Sequence, residues 1–400
     1  MPSEFPLFLL PMLVLNRILK LVTPIELVAI SLCSKKSKTL CSSARSQLQC
    51  KKSTKEFMLK FSLNKEIRLK FDYYPKVEWI FKIDYFSIID NISPRKNVLQ
   101  KFLSLFRRNK QENLKPNYMR VMNELFLTSW IPTENESLSE FSLQFYTSEE
   151  YHILIMNLFI SHLSDIFNAP LATIDLYFQN FTQEDNERII DFYCLDREKR
   201  QAVHSLTLTG KHWNTAEDDQ VVDSLLRRQK VKKMLKLLFK PTSEFKFRTE
   251  YVRNNPNLFE SRHAHWIHFN QFLEIASFAV FLYSSLLTSN HFKLLIEKWN
   301  NGWIPKWQMV TIEFCENVDV DECVNDLIIT ERISDLQMNR VEKVYAQSPV
   351  IQYYFRRNDG LVCVFSLEND NIGMFDICLD AKQNSVLFSK VFRENTSEKQ

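Results

Sequence analysis

The sequence predicts a mixed α/β chain: three short helices at the front, then a repeat-like curved sheet of alternating strands and helices, closed by a small antiparallel meander. Three observations carry this expectation. Residues 5–45 combine helix-start signals with apolar positions at helical spacing. Strand patterns start at Ala172, Val203 and Met234, 31 residues apart each time (203 − 172 and 234 − 203), with a helical pattern after each of the first two. Beyond Ser348, period-two segments flank Asn358-Asp359-Gly360, which reads as a hairpin turn.

At the front, Pro11 suits a helix start, where its missing N–H had no partner to lose. Val14, Leu15, Ile18, Leu19 and Val22 then recur at helical spacing as one broad apolar face. Thr23-Pro24-Ile25-Glu26 forms a capping box with proline at the first helical position, so a second helix begins there, carrying Leu27, Val28, Ile30 and Leu32. Ser34 caps a third, with Leu40, Cys41 and Ala44 on its packing side. Three helices of this size cannot bury such an apolar load alone. A secretory leader is not expected, because Glu4 precedes the apolar segment and Arg17 and Lys20 lie inside it. Periodicity leaves two readings open: a face buried in this chain's own core, or a face that docks a partner.

Composition narrows the function classes. Of the 400 residues, 45% are hydrophobic and 25% charged, which fits a globular protein with a sizeable core. The 4 glycines, Gly210, Gly302, Gly360 and Gly373, are too scattered for a phosphate-cradling loop, so P-loop or Rossmann nucleotide chemistry is not expected. The net charge is only +3, although eleven Lys or Arg face Glu56 and Glu66 between Lys35 and Lys70, and Lys230 to Lys236 is a second basic run. Such runs are usually solvated faces, and no nucleic-acid motif accompanies them, so a nucleic-acid partner is not expected. The 8 cysteines form no Cys-x-x-Cys pair, which predicts reduced thiols in the cytoplasm or nucleus. The longest apolar run elsewhere, Ile275 to Leu287, is too short to span a membrane.

The order of signals at the front resembles the F-box. The matching elements are Phe5-Pro6-Leu7, Leu10-Pro11, Pro24-Ile25-Glu26-Leu27 and Ser31-Leu32-Cys33-Ser34-Lys35-Lys36. The resemblance implies a module that docks onto a Skp-family adaptor and, through it, a cullin-based (SCF-type) ubiquitin ligase. It makes Leu7, Leu10, Pro11, Leu15, Ile18, Leu19, Pro24, Ile25, Leu27 and Leu32 the candidate adaptor-binding residues.

Further on, Phe57 to Leu63 and Glu66 to Phe71 alternate as a strand pair around Asn64-Lys65, and Trp79 to Phe86 is a third strand. Leu99 to Phe106 reads as a short amphipathic helix and Asn109 to Pro116 as a linker. A helix follows Thr147-Ser148-Glu149-Glu150 and runs towards Ser164. Strands at Ala172 to Phe178, Val203 to Thr209 and Met234 to Phe239 then alternate with helices starting at Thr182 and Thr215. Such a succession suggests parallel strands with crossover helices, leucine-rich-repeat-like in arrangement though without that repeat's consensus residues. After a longer insertion, Phe278 to Ser285 is a strand, Thr288-Ser289 caps a helix that Gly302 ends, and Trp307 to Phe314 is the next strand. Leu287-Thr288, Phe292-Lys293, the Trp299, Gly302, Trp307 spacing and Thr311-Ile312 resemble the type-2 F-box-associated domain of a large nematode group of F-box proteins. The division expected is an F-box over 1–50, connecting strands and linker over 51–116, and a repeat-like α/β target-recognition region over 117–400, with the F-box-associated domain at about 255–315.

No constellation of catalytic residues is legible, so an enzyme is not expected and no cofactor is called for. His263, His265 and His268 lack the four convergent ligands of a zinc site, so no metal is expected. Trp299 and Trp307 are expected to pack, while the loop residue Trp303 is the candidate target-binding side chain. The resemblance thus implies a non-catalytic substrate receptor of a ubiquitin ligase, whose target protein the sequence does not name. The other reading is an interaction scaffold with an F-box-like helical hairpin and no ligase.

Overall fold

The computed structural model describes residues 10–47, 56–63, 65–70, 78–85, 117–121, 124–132, 141–147, 152–195, 203–254, 256–329, 337–345, 348–368 and 371–378. The expected helix at 99–106 and linker at 109–116 lie outside them, as does Leu7. The chain divides into two compact units, Met1–Asp175 and Leu176–Gln400. No helix among the described residues is long and apolar enough to cross a membrane.

The first unit opens with α1 (Met12–Leu21), α2 (Pro24–Leu32) and α3 (Lys35–Gln47). Strands β1 (Glu56–Phe61), β2 (Lys65–Lys70), β3 (Glu78–Tyr85), β4 (Asn117–Val121), β5 (Glu124–Pro132) and β6 (Phe141–Thr147) follow, then α4 (His152–Phe167). Their order across the sheet is β1-β2-β3-β6-β5-β4, with β3 and β6 parallel and the other neighbours antiparallel. In β1, buried Phe57, Leu59 and Phe61 alternate with half-buried Met58 and Lys60, as a sheet with one covered face requires. Phe57 pairs with Leu69 and Leu59 with Ile67 across to β2. Helix α4 packs on this sheet, Phe159 meeting Phe81 edge-on at 5.2 Å.

The strand β7 (Thr173–Tyr177) carries the boundary between the units. The second unit then runs α5 (Gln183–Tyr193), β8 (Ser205–Trp213), α6 (Ala216–Arg228), β9 (Met234–Lys240), β10 (Leu258–Ser261), α7 (Phe269–Leu273), β11 (Ala279–Leu282), α8 (Ser289–Asn300), β12 (Met309–Glu313) and α9 (Val320–Ile329). It ends with β13 (Gln337–Tyr345), β14 (Ser348–Arg356), β15 (Val362–Glu368) and β16 (Ile372–Cys378). Strands β8 to β12 are parallel neighbours in chain order. The last strand, β16, lies antiparallel to β12, and β15, β14 and β13 continue outward as an antiparallel meander.

Three helices of this unit start on threonine: the hydroxyls of Thr182, Thr215 and Thr288 accept from the backbone N–H of Asp185, Asp218 and His291. The β8–β12 run departs from even spacing. Ser205, Met234, Leu258, Ala279 and Met309 stand level in the register, at unequal sequence intervals that are all shorter than 31. The stretch expected to be an insertion supplies β10, too short at four residues to display an alternation of its own. Helix α9 was not anticipated, although Val320, Cys323, Val324 and Leu327 are buried at helical spacing.

Candidate functional site

The site is built from the front helices. Pro11 precedes α1 rather than entering it; its carbonyl accepts from the N–H groups of Val14 and Leu15 at 2.9 and 3.0 Å, which orients the first turn. Thr23 and Glu26 close a reciprocal capping box: Thr23 N–H donates to Glu26 Oε2 at 2.7 Å, and Glu26 N–H to Thr23 Oγ1 at 3.3 Å. Ser34 caps α3, accepting from Ser37 N–H at 3.0 Å. These signals fix where each helix begins, and hence which side of each turns inward.

Inward, Leu15 and Leu19 of α1 meet Leu27 of α2, Cys41 and Ala44 of α3 and Ile166 of α4 in one buried cluster. Leu10, Val22, Ile30, Leu40 and Phe167 flank it. Helix α4 therefore completes the core of the front helices from more than a hundred residues downstream. It is also tied to them by polar contacts. His162 Nε2 lies 2.7 Å from the buried Ser31 hydroxyl, Lys38 Nζ donates to Asp165 Oδ2 at 2.6 Å, and Ser42 Oγ donates to the Asp165 carbonyl at 3.1 Å. His162 also stacks on Phe159, 6.3 Å between ring centres. Burial, aided by the charge of Lys38, pushes the imidazole down to about 4, so it is neutral at physiological pH.

Outward, α1 leaves several apolar side chains uncovered, with exposed Arg17 and Lys20 among them. Met12, Leu13 and Leu21 are 56%, 70% and 84% exposed, and Val14 is exposed beside them. The candidate adaptor-binding residues thus fall into groups. Leu15, Leu19, Pro24, Leu27 and Leu32 are buried within the unit, Leu10 and Ile18 are half-buried, and Pro11 is exposed. The side chain of Ile25, like the whole of Leu7, lies outside the described residues. Sequence reasoning passed over Met12, Leu13 and Leu21. Helical spacing groups Leu15, Ile18, Leu19 and Val22 on one stripe and leaves Leu13 and Leu21 outside it.

In the second unit, Trp303 is half-buried and meets Trp307 edge-on at 6.0 Å. With Leu295, Ile296, Trp299 and Trp307 it lines a small apolar recess of α8 and the strands behind it. Arg357, buried in the turn between β14 and β15, lies over the Trp299 ring at 4.5 Å, donates to the carbonyls of Trp299 and Trp303 at 3.0 and 3.3 Å and pairs with Asp359. Trp303 is therefore pinned by its backbone and its ring. Among the described residues no group of three or more His, Cys, Asp or Glu is placed to hold a metal ion.

No curated protein matches this chain. Residues 7–47, which end with the last residue of α3, match the F-box domain family. The front of the chain, with its capped helices, a core shared with α4 and uncovered apolar side chains on α1, is an F-box domain.

Proposed function

We propose that this chain is the substrate-recognition subunit of an SCF-type E3 ubiquitin ligase, with no catalytic step of its own. F-box domains generally bind Skp-family adaptors, and the observation that carries the reading here is the apolar side chains that α1 leaves uncovered: Met12, Leu13 and Leu21 stand open while Leu15 and Leu19 anchor the helix in its own core. Exposed apolar patches of this kind mark interaction sites. In this reading the adaptor covers those side chains and joins the chain to a cullin, in the cytoplasm or nucleus. The leucine-rich-repeat-like run of parallel strands, including the type-2 F-box-associated resemblance near 255–315, holds the target. The alternative is a scaffold that has the F-box helices and recruits no ligase.

Co-purification with a Skp-family adaptor tests the reading. A Leu13→Ser, Leu21→Ser double variant is expected to lower capture by about thirtyfold or more, the scale of losing an interface hot spot of about 2 kcal/mol. Its melting temperature is expected to stay at the wild-type value. Failure of the wild type to capture any adaptor would leave the scaffold reading.

A further inference from the structure

The carboxyl ends of the parallel strands gather aromatic and basic side chains that stand exposed or half-buried. Strand β8 ends on Trp213, 68% exposed, and the register sets it beside Lys240, the last residue of β9. The Lys240 ammonium lies 3.3 Å from the centre of the indole ring. Next along the edge, β10 leads into exposed Arg262 and half-buried His263 and His265. Among the described residues neither Lys240 nor Arg262 makes an ion pair.

The charges facing His263 are one-sided. Burial first, then Lys240, His265 and Arg262, hold its imidazole below the ordinary range, and Glu313 is the single carboxylate that opposes them. That carboxylate is engaged, accepting from the N–H of Ser284 at 2.8 Å. Around His265, burial acts downward and the carbonyls of Pro241 and Thr242 upward. The one acid there, Asp219, is buried and accepts from Asn214 and Thr242. The loop carrying these groups is held firmly. Trp266 is buried, its indole N–H donates to the His263 carbonyl at 2.7 Å, and its ring packs on Phe245 and Phe247 at 4.9 and 5.6 Å. A fixed platform that presents cations without carboxylate partners beside an exposed indole is suited to recognition. Its position agrees: open α/β sheets bind their ligands outside the carboxyl ends of their strands.

We infer that this edge, centred on Trp213, Lys240 and Arg262, is the target-docking surface and takes a carboxylate-rich peptide segment of the target protein. Lys240 and Arg262 meet the carboxylates, and the Trp213 ring supports the segment's apolar or aromatic side chains. That the peptide belongs to a ubiquitination target rests on the substrate-receptor reading; the acidic preference of the edge does not.

The test is fluorescence anisotropy with the full-length protein and fluorescein-labelled peptides of alternating Glu and Tyr, of alternating Lys and Tyr, and of alternating phosphoserine and Tyr. Wild type is expected to bind the Glu peptide more tightly than the Lys peptide. Lys240→Glu with Arg262→Glu is expected to weaken that binding by about tenfold or more, with loss also in Trp213→Ala. Lys232→Glu with Lys233→Glu, reversing exposed charges at the opposite ends of the strands, controls for bulk charge and is expected to leave affinity within about twofold. No binding of the Glu peptide by the wild type, equal binding of the Lys peptide, or an equal loss in the control pair would overturn the inference. Binding of the phosphoserine peptide alone would also overturn it, replacing the carboxylate ligand with a phosphorylated one. Adaptor capture is measured on the same samples. Edge variants that lose the peptide and keep the adaptor support the inference. A wild type that binds the peptide but captures no adaptor removes the ligase reading and leaves the docking edge standing.

Discussion

The front helices and the parallel run of the second unit solve the burial problem in opposite ways. In β9, Leu235, Leu237 and Phe239 are buried while Met234, Lys236, Leu238 and Lys240 are only half-buried, so pattern and burial agree residue by residue. In α1, Leu15 and Leu19 are buried while equally apolar Leu13 and Leu21 stand in solvent. Strand β9 closes its own apolar account, and helix α1 leaves part of its account open. A surface that costs free energy in the isolated chain yields it when covered, at roughly 25 cal/mol per Å² of apolar area. The contrast sets apolar side chains left open on α1 against a covered set on β9.

The sharpest way to break the comparison is to treat the two sides of α1 alike. Leu19→Ala is expected to destabilise the first unit by about 2–5 kcal/mol, since Leu19 is fully buried among Leu27, Cys41, Ala44 and Ile166. Chemical denaturation with hydrogen exchange over α1 to α4 would read it. Leu13→Ser belongs at the other end of the scale, within about 0.5 kcal/mol, with its effect confined to adaptor capture.

Acid provides the next largest effect. His162 has a folded pKa of about 4 against 6.5 as the ordinary value. Below 6.5 the unfolded chain takes up the proton first, so the stabilisation is present above 6.5 and is lost as pH falls towards 4. The full difference corresponds to about 3 kcal/mol. A His162→Gln variant, compared with the wild type in melts at several pH values, is expected to flatten that slope; an unchanged slope would place the acid sensitivity elsewhere.

Of the four glycines, Gly373 is the most closely packed. A Cβ there would lie 2.5 Å from one ring carbon of Phe365 and 2.9 Å from one of Phe314, both rings buried. Gly373→Ala is expected to cost about 1–3 kcal/mol through displacement of those rings. The threonine caps come lower. Thr215→Ala removes the acceptor for Asp218 N–H and is expected to cost about 1 kcal/mol, whereas Thr215→Ser should restore nearly all of it. Both are read as shifts in the denaturation midpoint.

What the sequence could reveal follows from the range of each interaction. Helix starts were legible because their signals are a few residues long: the Thr23 and Glu26 box, the threonine at 215, and Thr288-Ser289. Strands β8, β9 and β12 were legible because their signals are local: alternation in β9, and β-branched residues in β8 and β12. The division of α1 into buried and exposed sides was not, since Leu15 and Leu19 are covered in a cluster completed by Ile166 of α4, far along the chain. Strand β10 stayed hidden because its neighbours β9 and β11, rather than its own four residues, define it. The edge at Trp213, Lys240 and Arg262 is assembled only by parallel register, which brings together residues from three separate strand ends.

The place of β16 sets a condition on how the chain is made. Its seven residues, Ile372–Cys378, lie between β12 and β15, so the sheet of the second unit stays split until nearly the last part of the described chain has been synthesised. Translation delivers residues from the N-terminus at roughly 5–20 per second. Throughout that interval β12 has an unpaired edge, the kind of edge that templates association with other chains. A ribosome stalled between α9 and β16 therefore holds a chain whose front helices are complete and whose second unit is open along one strand. Such an edge is open to chaperones, or to other chains, until β16 arrives.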